Sequence, residues 1–486
     1  MVAILPSSSG TAVLSDASAL EDFHRSLLAL IETSATLPAL TLSPAGLENG
    51  ASFAGQGGEV AGEIASVPAP SEGRLHARPS TSFLATPLFG SLPSRVGSAE
   101  QSNTSILYGA QLILKLFRRI QPGQNPDVEI GRFLTEVAHF PHIAPFLGEI
   151  DVAVGGGQKT TVAMLQGLVP SSSDGWQWFV DQLAGFFSAA AHSTPPETPV
   201  ASFLNRREPL REALEYAGPS LDAAAVLGRR TAELHLALAT PTGDPAFAAE
   251  VFQSADLVRD AQRIDDQITS TLEALKAKLS ALKDRVADDA ALLLSRRIDL
   301  FARANAIAGT ATAGQRIRIH GDYHLGQILR IDGPVDQFTA ESAAGSRSGP
   351  GDFVLLDFEG EPARSLEERR RKQSPLKDVA GMLRSFSYAA HFALDLFLAA
   401  NPGLAHTPGG DRMGAWAVFW QNSVSSEFLH AYRETIEINP DLLPPARESQ
   451  VLLSAYLLEK ALYELLYELN NRPAWLRIPL AGILAL

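Results

Sequence analysis

The sequence contains no cysteine, which excludes disulfide bonds, thiolate nucleophiles and cysteine-ligated zinc. It also lacks an excess of basic residues, because 40 Lys and Arg stand against 54 Asp and Glu and the net charge is −14. A general nucleic-acid or anionic-membrane surface needs a basic face, so neither partner is expected. A small anionic substrate stays compatible with this charge, since one lysine and one metal ion can reverse the local field.

Long hydrophobic runs are missing as well. The most apolar segment, AAHFALDLFLAA at 389–400, is too short to span a bilayer and contains His391 and Asp395. The opening MVAILPSSSG has no basic region and only a short apolar run, unlike a secretory signal. We therefore expect a soluble cytoplasmic protein. Its 486 residues are too many for one core, so about two or three compact units are predicted.

The pattern of the chain changes near residues 90 and 170. Residues 1–90 contain one helical segment and then a stretch rich in Gly, Ala, Ser and Pro. Residues 91–170 predict a small α+β unit, with a hairpin (TSILY, QLILKLF), a helix (NPDVEIGRFLTEVAHF) and two further strands (FLGEIDVAV, TTVAMLQGLV). Residues 171–486 are predicted to be mostly helical, except for two strand-like runs within 315–360.

A lysine on a predicted strand is the first candidate functional residue. Lys115 has apolar neighbours in QLILKLF, and the next helix carries Glu129 and Glu136, either of which could pair with it. Taken alone, a strand lysine is more often an edge charge than a ligand-binding group. Two further motifs favour the ligand-binding interpretation, because with Lys115 they provide the groups that phosphoryl transfer uses.

Two acidic motifs follow further along the chain. HGDYHLGQ provides Asp322 and, five residues later, Gln327, and LLDFEGE provides Asp357 at the end of an apolar strand. Phosphoryl transfer uses a lysine for the phosphates, an aspartate for the attacking hydroxyl, and hard oxygen ligands for Mg²⁺. Individually, His320 could be a hydrogen-bonded core residue and Asp357 a turn cap. Their occurrence in this order favours phosphoryl transfer.

The last long helix carries a polar stripe beside its apolar one. Lys460, Tyr463 and Tyr467 have the spacing i, i+3 and i+7 and share one face. A cation beside two tyrosine rings suits a sugar, although spacing alone favours tyrosines packed against a neighbouring helix. Earlier, Asp378 and Arg384 lie in PLKDVAGMLRSF, where the aspartate could serve the helix N-terminus and the arginine could brace the catalytic loop.

These motifs together resemble bacterial maltokinases over about residues 90–486. The similarity is carried by SNTSILYGAQLILKLFRRIQPGQNPDVEIGRFL, HGDYHLGQ, DFEGEP, KQSPLKDVAGMLRSFSYAA and EKALYELLYELNNRPAWLRIPLAGI. The resemblance implies an α+β, bilobal protein-kinase-like fold. Its parts would be an N-terminal cap subdomain at 1–90, a β-rich N-lobe at 91–170, and a mostly helical C-lobe with the catalytic loop at 171–486.

The resemblance also implies residue roles in an enzyme that uses ATP and Mg²⁺. Asp322 would be the catalytic base, and Gln327 and Asp357 would bind the metal. Lys115 would hold the ATP phosphates with Glu129 as its partner, chosen over Glu136 because it lies in NPDVEIGRF. The loop GSAEQSNTS at 97–105 would cover the phosphates through the residues Ser102, Thr104 and Ser105, although it is not the usual glycine-rich loop.

The implied acceptor is maltose, giving maltose 1-phosphate, with a trehalose synthase as a further partner. The implied sugar-binding residues are Lys460, Tyr463, Tyr467 and Trp475. The implied supporting residues are His320, His324, Glu359, Asp378 and Arg384. Two alternatives stay open: another sugar or amino-sugar kinase, such as a glucosamine kinase, and a kinase-like subunit that docks a trehalose synthase.

Overall fold

The computed structural model divides the chain into two compact units. One comprises the described residues of Met1–Val137 and Ala144–Val169, and the other comprises those of Ala138–Ile143 and Pro170–Leu486. The structure describes residues 3–7, 10–14, 20–41, 71–84, 92–97, 103–154, 159–197, 200–204, 208–332, 351–404 and 407–486. In that part of the chain, no helix has both the length and the apolarity needed to cross a membrane.

The first unit is built on an antiparallel sheet of seven strands in the order β3-β4-β8-β9-β7-β6-β5. Its strands are β3 (Thr36–Thr41), β4 (Ser71–Pro79), β5 (Ser94–Val96), β6 (Asn103–Tyr108), β7 (Leu112–Phe117), β8 (Phe146–Val154) and β9 (Lys159–Gly167). A separate hairpin pairs β1 (Ala3–Ser7) with β2 (Gly10–Leu14). The helices are α1 (Glu21–Glu32), α2 (Thr81–Leu84) and α3 (Pro126–Glu136).

The segment predicted as a separate cap contributes directly to this sheet. Strands β3 and β4 come from residues 1–90, and β4 pairs with β8 along its length. Helix α1 lies against the same sheet and buries Leu28 and Ile31 in one core with Ile106 and Leu114. The described residues of the predicted cap and of the predicted N-lobe therefore share a single hydrophobic core.

The predicted hairpin and helix around Lys115 are confirmed. Strands β6 and β7 pair in a register that places Ser105 opposite Lys115. Helix α3 begins after Asn125, whose side chain accepts a 2.8 Å hydrogen bond from the backbone N–H of Asp127, while Pro126 fills the first helical position, where a missing N–H costs nothing. The Asn-Pro sequence therefore fixes where the helix starts.

The second unit is mostly helical. Its helices are α4 (Gly175–Ala190), α5 (Arg211–Leu238), α6 (Ser254–Lys278), α7 (Asp284–Ser295), α8 (Arg297–Asn305), α9 (Leu366–Arg369), α10 (Leu376–Ala400), α11 (Pro408–Ile436), α12 (Ala446–Asn471) and α13 (Arg477–Leu484). The long helical stretch predicted at about 253–308 is divided into three helices, with a 3₁₀ turn at Leu279–Ala281 ending the first. The sequence does not show these breaks, because all three helices have an apolar face and the helical spacing of apolar residues continues from one to the next.

Short strands position the loops of this unit. Strands β10 (Ser173–Asp174), β13 (Ile328–Ile331) and β14 (Asp352–Leu355) form an antiparallel sheet, and β11 (Glu250–Val251) pairs with β12 (Gln315–Arg316). Ile328 pairs with Leu355, so the loop before β13 and the loop after β14 emerge at the same edge. The predicted polar connection between these strands lies outside the described residues.

Candidate functional site

The HGD loop before β13 is held by a buried carboxylate on α10. Asp378, which is 2% exposed, accepts hydrogen bonds from the backbone N–H groups of His320 at 2.8 Å and Gly321 at 2.9 Å. His235 on α5 lies 3.1 Å from the same carboxylate. Burial alone would raise the pKa of Asp378, but the hydrogen bonds and charges around it outweigh burial and lower that pKa. The aspartate is therefore an ionised brace of the loop.

His320 joins the HGD loop to the loop after β14. Its Nε2 donates to the carbonyl oxygen of Leu356 at 2.8 Å, and its ring lies between Tyr323 at 5.1 Å and Phe358 at 4.9 Å. The hydrogen bond to a carbonyl places the proton on Nε2. His320 is thus a structural residue, which was one of the two predicted alternatives.

Asp322 projects from this loop with 22% of its side chain exposed. Its Oδ1 lies 3.3 Å from Nζ of Lys460 on α12, and its Oδ2 lies 4.0 Å from His324. Burial tends to raise the pKa of Asp322, but the ammonium of Lys460, with smaller effects from His324 and His320, holds that pKa below its ordinary value. Asp322 is therefore ionised at neutral pH and can accept a hydrogen bond from a bound hydroxyl.

Gln327 and Asp357 meet at the edge where β13 begins and β14 ends. The side-chain amide of Gln327 lies 3.0 Å from Oδ2 of Asp357, and the backbone N–H of Leu356 donates to the carbonyl of Gln327 at 2.9 Å. Asp357 has φ +64°, a left-handed conformation that turns its carboxylate out of the strand direction. An amide oxygen and a carboxylate are hard ligands, so these residues fit Mg²⁺.

A cluster of buried charges lies behind Lys460, and sequence reasoning missed most of it. Lys460 is 2.8 Å from Glu361, and Glu361 accepts from Arg364 at 2.5 Å. Glu459, 5% exposed, pairs with Arg263 of α6 and lies 3.3 Å from Lys377. These pairs join α6, α10 and α12. Their sequence signals are the acidic end of DFEGEP and Glu459, a weaker sugar-binding candidate directly before Lys460.

A small cavity of about 50 Å³ borders this cluster, lined in part by Gly321, Glu361, Lys460 and Tyr463. A cavity of this size can hold a few ordered water molecules, since each needs about 10–15 Å³ by this measure of volume.

The residues predicted to bind sugar occupy two places on and beyond α12. Tyr463 packs with Lys460, whose Nζ is 5.1 Å from the ring centre. Tyr467 and Trp475 both contact the guanidinium of Arg472, at 5.2 and 4.7 Å. Two of the aromatic rings therefore already contact an arginine. The sugar-binding role of these residues stays a prediction.

The predicted brace at Arg384 has a different partner. Its guanidinium donates to Glu464 of α12 at 2.9 Å, so it joins α10 to α12 instead of pairing with the catalytic loop. The prediction of a pair with the loop was wrong because helix periodicity places Arg384 near the loop without fixing the direction of its side chain. Glu359, predicted as a support, accepts a 3.0 Å hydrogen bond from Arg369 through its backbone carbonyl.

In the first unit, Lys115 forms an ion pair with an aspartate that the sequence analysis did not single out. Its Nζ lies 2.9 Å from Oδ2 of Asp127, which is fully buried in the first turn of α3. Glu129, the predicted partner, is buried two residues further along the same helix. Glu136 accepts from the backbone N–H of Thr81 at 3.1 Å. The sequence did not mark Asp127 as functional, because an acidic residue in the first turn of a helix is common for structural reasons.

The predicted phosphate-covering residues are partly described. Thr104 and Ser105 are buried in β6, and the hydroxyl of Thr104 accepts from Nε of Arg118 at 2.9 Å. Gly97 donates to the backbone carbonyl of Ser105 at 2.7 Å. Ser102 lies outside the described residues. The ATP-binding roles of these residues stay predictions.

Sequence comparison finds relatives among glucosamine kinases. No family model matches the chain. It is 26% identical over 412 residues to a glucosamine kinase of Streptacidiphilus jiangxiensis, covering 84% of this chain and 77% of the relative. It is also 26% identical over 395 residues to a glucosamine kinase of Mycolicibacterium smegmatis, covering 80% and 78% of the two chains.

Solved structures give the same result for the fold. A glucosamine kinase in complex with glucosamine, ADP and inorganic phosphate matches with a TM-score of 0.61 and 18% identity, over 99% of this chain and 86% of that one. Crystal form B of a glucosamine kinase matches with a TM-score of 0.57 and 19% identity, over 85% of this chain and 80% of that one. The fold is kinase-like. The predicted α+β class, with a β-rich N-terminal region and a helix-rich C-terminal region, is confirmed.

Proposed function

We propose that this chain is an ATP-dependent sugar kinase, which transfers the γ-phosphoryl group of ATP to a sugar hydroxyl. One observation carries the proposal: an ionised, partly exposed Asp322 lies on a loop braced by Asp378, and the same loop leads to the Gln327–Asp357 pair. A hydroxyl acceptor and a metal-bound phosphate need these groups from one rigid scaffold. The similarity to two glucosamine kinases supports the same chemistry.

Each residue has a defined task in the proposed reaction. Asp322 accepts a hydrogen bond from the attacking hydroxyl, orients its oxygen toward phosphorus and takes the proton as the new bond forms. Lys115 provides positive charge for the phosphates of ATP. Gln327 and Asp357 would hold Mg²⁺, which neutralises phosphate charge when bound. The products are ADP and a sugar phosphate.

For the acceptor we propose maltose, phosphorylated at its anomeric hydroxyl. The support is the motif resemblance around Asp322 and Asp357 and the aromatic and cationic residues of α12. A disaccharide presents apolar ring faces and a hydroxyl rim, which tyrosine and tryptophan rings can contact. A maltose 1-phosphate product would place the chain in α-glucan synthesis beside a trehalose synthase.

Glucosamine is the second candidate acceptor, and the two curated relatives favour it. Its ammonium group needs an acidic contact, and Glu361 and Glu464 are acidic residues near Lys460. Both already pair with basic side chains, since Glu361 contacts Lys460 at 2.8 Å and Glu464 contacts Arg384 at 2.9 Å. An amino sugar would have to compete with these pairs, which is why we place maltose first.

A kinetic panel tests the proposal. Purified full chain is assayed with ATP and Mg²⁺ against maltose, glucose, glucosamine and an aminoglycoside, and the phosphorylated carbon is identified by ³¹P and ¹³C NMR. We expect the highest kcat/KM with maltose and an anomeric phosphate product. Higher kcat/KM with glucosamine would assign the second acceptor. No turnover with any sugar, together with co-elution with a trehalose synthase, would refute the enzyme and support a docking subunit.

A further inference from the structure

A second, larger cavity lies in the helical unit beyond the charge cluster. Its volume is about 650 Å³, and eight Arg or Lys and four Asp or Glu are among the residues that line it. The whole chain has a net charge of −14, so this lining reverses the average charge of the protein. A cavity of this size can hold a small metabolite. Its composition indicates an anionic one.

The acidic residues of this basic cavity are already held by basic ones. Glu250 pairs with Arg316 at 2.8 Å and Lys372 at 2.6 Å. Asp256 pairs with Arg316 at 2.9 Å and also with Arg259. These carboxylates keep Arg316 and Lys372 in fixed positions. They therefore build a rigid wall of the cavity. Arg263 and Arg364 of the lining pair with Glu459 and Glu361, so an anion would bind by sharing these arginines with their carboxylates.

The two further acidic residues of the lining are also engaged, Asp260 by an arginine and a tyrosine and Glu368 by a serine. Asp260 accepts from Arg263 at 3.1 Å and from the hydroxyl of Tyr456 at 3.1 Å. Glu368 accepts from Ser365 at 2.7 Å. The segment that contains Glu368 continues into Arg370 and Arg371, which also line the cavity. Arg370 is the C-cap residue of α9 and Arg371 follows it, so both lie where this short helix ends.

A chain of contacts connects the basic cavity to the candidate catalytic carboxylate. Arg364 lines both this cavity and the small cavity at Lys460. It lies 2.5 Å from Glu361, Glu361 lies 2.8 Å from Lys460, and Lys460 lies 3.3 Å from Asp322. The charges alternate in sign along the series. A new negative charge beside Arg364 would change how Glu361 and Asp322 share the ammonium.

We propose that the basic cavity is an anion site for a small metabolite bearing a phosphate or pyrophosphate group, and that its occupant acts on Asp322 through Arg364, Glu361 and Lys460. An anion that draws Arg364 away leaves Glu361 with Lys460 as its main partner. The ammonium of Lys460 then stabilises the ionised carboxylate of Asp322 less, and the pKa of Asp322 rises. The proposal concerns binding and charge, so it can be tested whether or not the chain phosphorylates a sugar.

Binding is tested by calorimetry with inorganic pyrophosphate on the full chain, without Mg²⁺ and with saturating ADP present to occupy a nucleotide site. The test variant is Arg370→Ala/Arg371→Ala. The matched control is Arg285→Ala/Arg447→Ala, which removes the same charge from exposed helix positions. We expect binding about tenfold or more weaker in the cavity variant, since each charged hydrogen bond contributes strongly, and unchanged binding in the control.

Three results would overturn the site. They are no binding to the wild-type chain at millimolar pyrophosphate, equal binding to the wild-type chain and the cavity variant, and equal weakening in the matched control. The last result would show a general charge effect. Far-ultraviolet circular dichroism and thermal unfolding of each variant confirm that the compared chains are folded.

The coupling is tested by ¹³C NMR of the aspartate side-chain carboxyls, with the Asp322 resonance assigned by its loss in Asp322→Asn. Pyrophosphate should move the titration of Asp322 to higher pH in the wild-type chain. In Arg364→Gln, the shift should disappear while pyrophosphate still binds through the other arginines. A titration of Asp322 that pyrophosphate leaves in place, or a shift that persists in Arg364→Gln, would refute the coupling.

Discussion

Lys460 Nζ lies 3.3 Å from Asp322 Oδ1, although 138 residues separate the two in the chain. Burial opposes ionisation of Asp322, and the ammonium more than offsets this, so the pKa of the carboxyl is lowered. A carboxylate of low pKa is a weak base. Asp322 therefore acts first by orienting the acceptor hydroxyl, and it takes the proton only as the oxygen–phosphorus bond forms.

Asp322→Asn should reduce kcat strongly and leave nucleotide binding nearly unchanged. Asparagine keeps the shape of the side chain but cannot take the proton, and positioned acid–base groups contribute about 10²–10⁴-fold to rate. Steady-state kinetics and calorimetry with ADP measure the two effects. Asp222→Asn, an exposed substitution on α5, is the control. Turnover of Asp322→Asn at the wild-type rate would refute the role.

Lys460→Met should move the acid limb of the kcat/KM–pH profile to higher pH. The base acts in its ionised form, so the rate falls as pH falls through the pKa of Asp322. Removing the ammonium leaves burial to raise that pKa, and activity is then lost at a higher pH than in the wild-type chain. The measurement is kcat/KM from acid to neutral pH at fixed free Mg²⁺.

The control for this profile is Lys278→Met. Lys278 also contacts α12, where it donates to the carbonyl of Leu469 at 2.9 Å, but it is not part of the Asp322 cluster. Its profile should match that of the wild-type chain. A Lys460→Met profile with an unchanged or lower acid limb would show that the ammonium does not control Asp322.

Asp357→Asn should abolish the Mg²⁺ dependence of nucleotide binding without unfolding the chain. Asparagine tolerates the φ of +64° found here, so the backbone should be retained while one anionic oxygen is lost. Calorimetry with ADP, with and without Mg²⁺, gives the difference between the two affinities. The same enhancement by Mg²⁺ in wild-type and variant chains would rule out Asp357 as a ligand.

Asp378→Ala should lower the free energy of unfolding by about 2–5 kcal/mol, because it leaves two buried backbone N–H groups without their acceptor. Urea unfolding measures the change. The depressed pKa of Asp378 also predicts a pH effect. Its stabilisation is complete above the unfolded-state pKa of about 3.9 and disappears as pH falls through the lower folded-state pKa.

The matching exposed control is again Asp222→Asn, which should change the free energy of unfolding by no more than about 0.5 kcal/mol. Below about pH 3.9, the difference in unfolding free energy between the wild-type chain and Asp378→Ala should therefore decrease as the pH falls. A difference that stays constant down to acid unfolding would contradict the ionised brace.

Gly381→Ala and Gly414→Ala should have opposite effects. A Cβ at Gly381 of α10 would lie 2.6 Å from the carbonyl oxygen of Tyr323, whereas a Cβ at Gly414 of α11 meets nothing within 4 Å. The first substitution should cost about 1–3 kcal/mol by displacing the HGD loop, with lower kcat. The second should add about 0.5–1 kcal/mol of helix stability. Equal effects on unfolding and kcat would refute close packing at Gly381.

Local patterns predicted the elements near the candidate site well. The hairpin of β6 and β7, the Asn-Pro start of α3 and the helical period of α10 and α12 are short-range features, and the structure has each of them. Local patterns did not show that Asp127 would face Lys115 or that Arg384 would face Glu464. A helix pattern gives the face of a residue but not the partner that packs on it.

The sequence by itself determined the chemical set: the HGD and DFEG carboxylates, the strand lysine and the absence of cysteine chemistry. Only the tertiary structure decided that Asp378 holds the HGD loop and that Lys460 keeps Asp322 ionised. It alone also decided that Arg364 contacts two cavities. The reason is physical, because side chains far apart in sequence acquire defined distances only when helices pack, and charges separated by a few ångströms in a buried cluster set one another's ionisation.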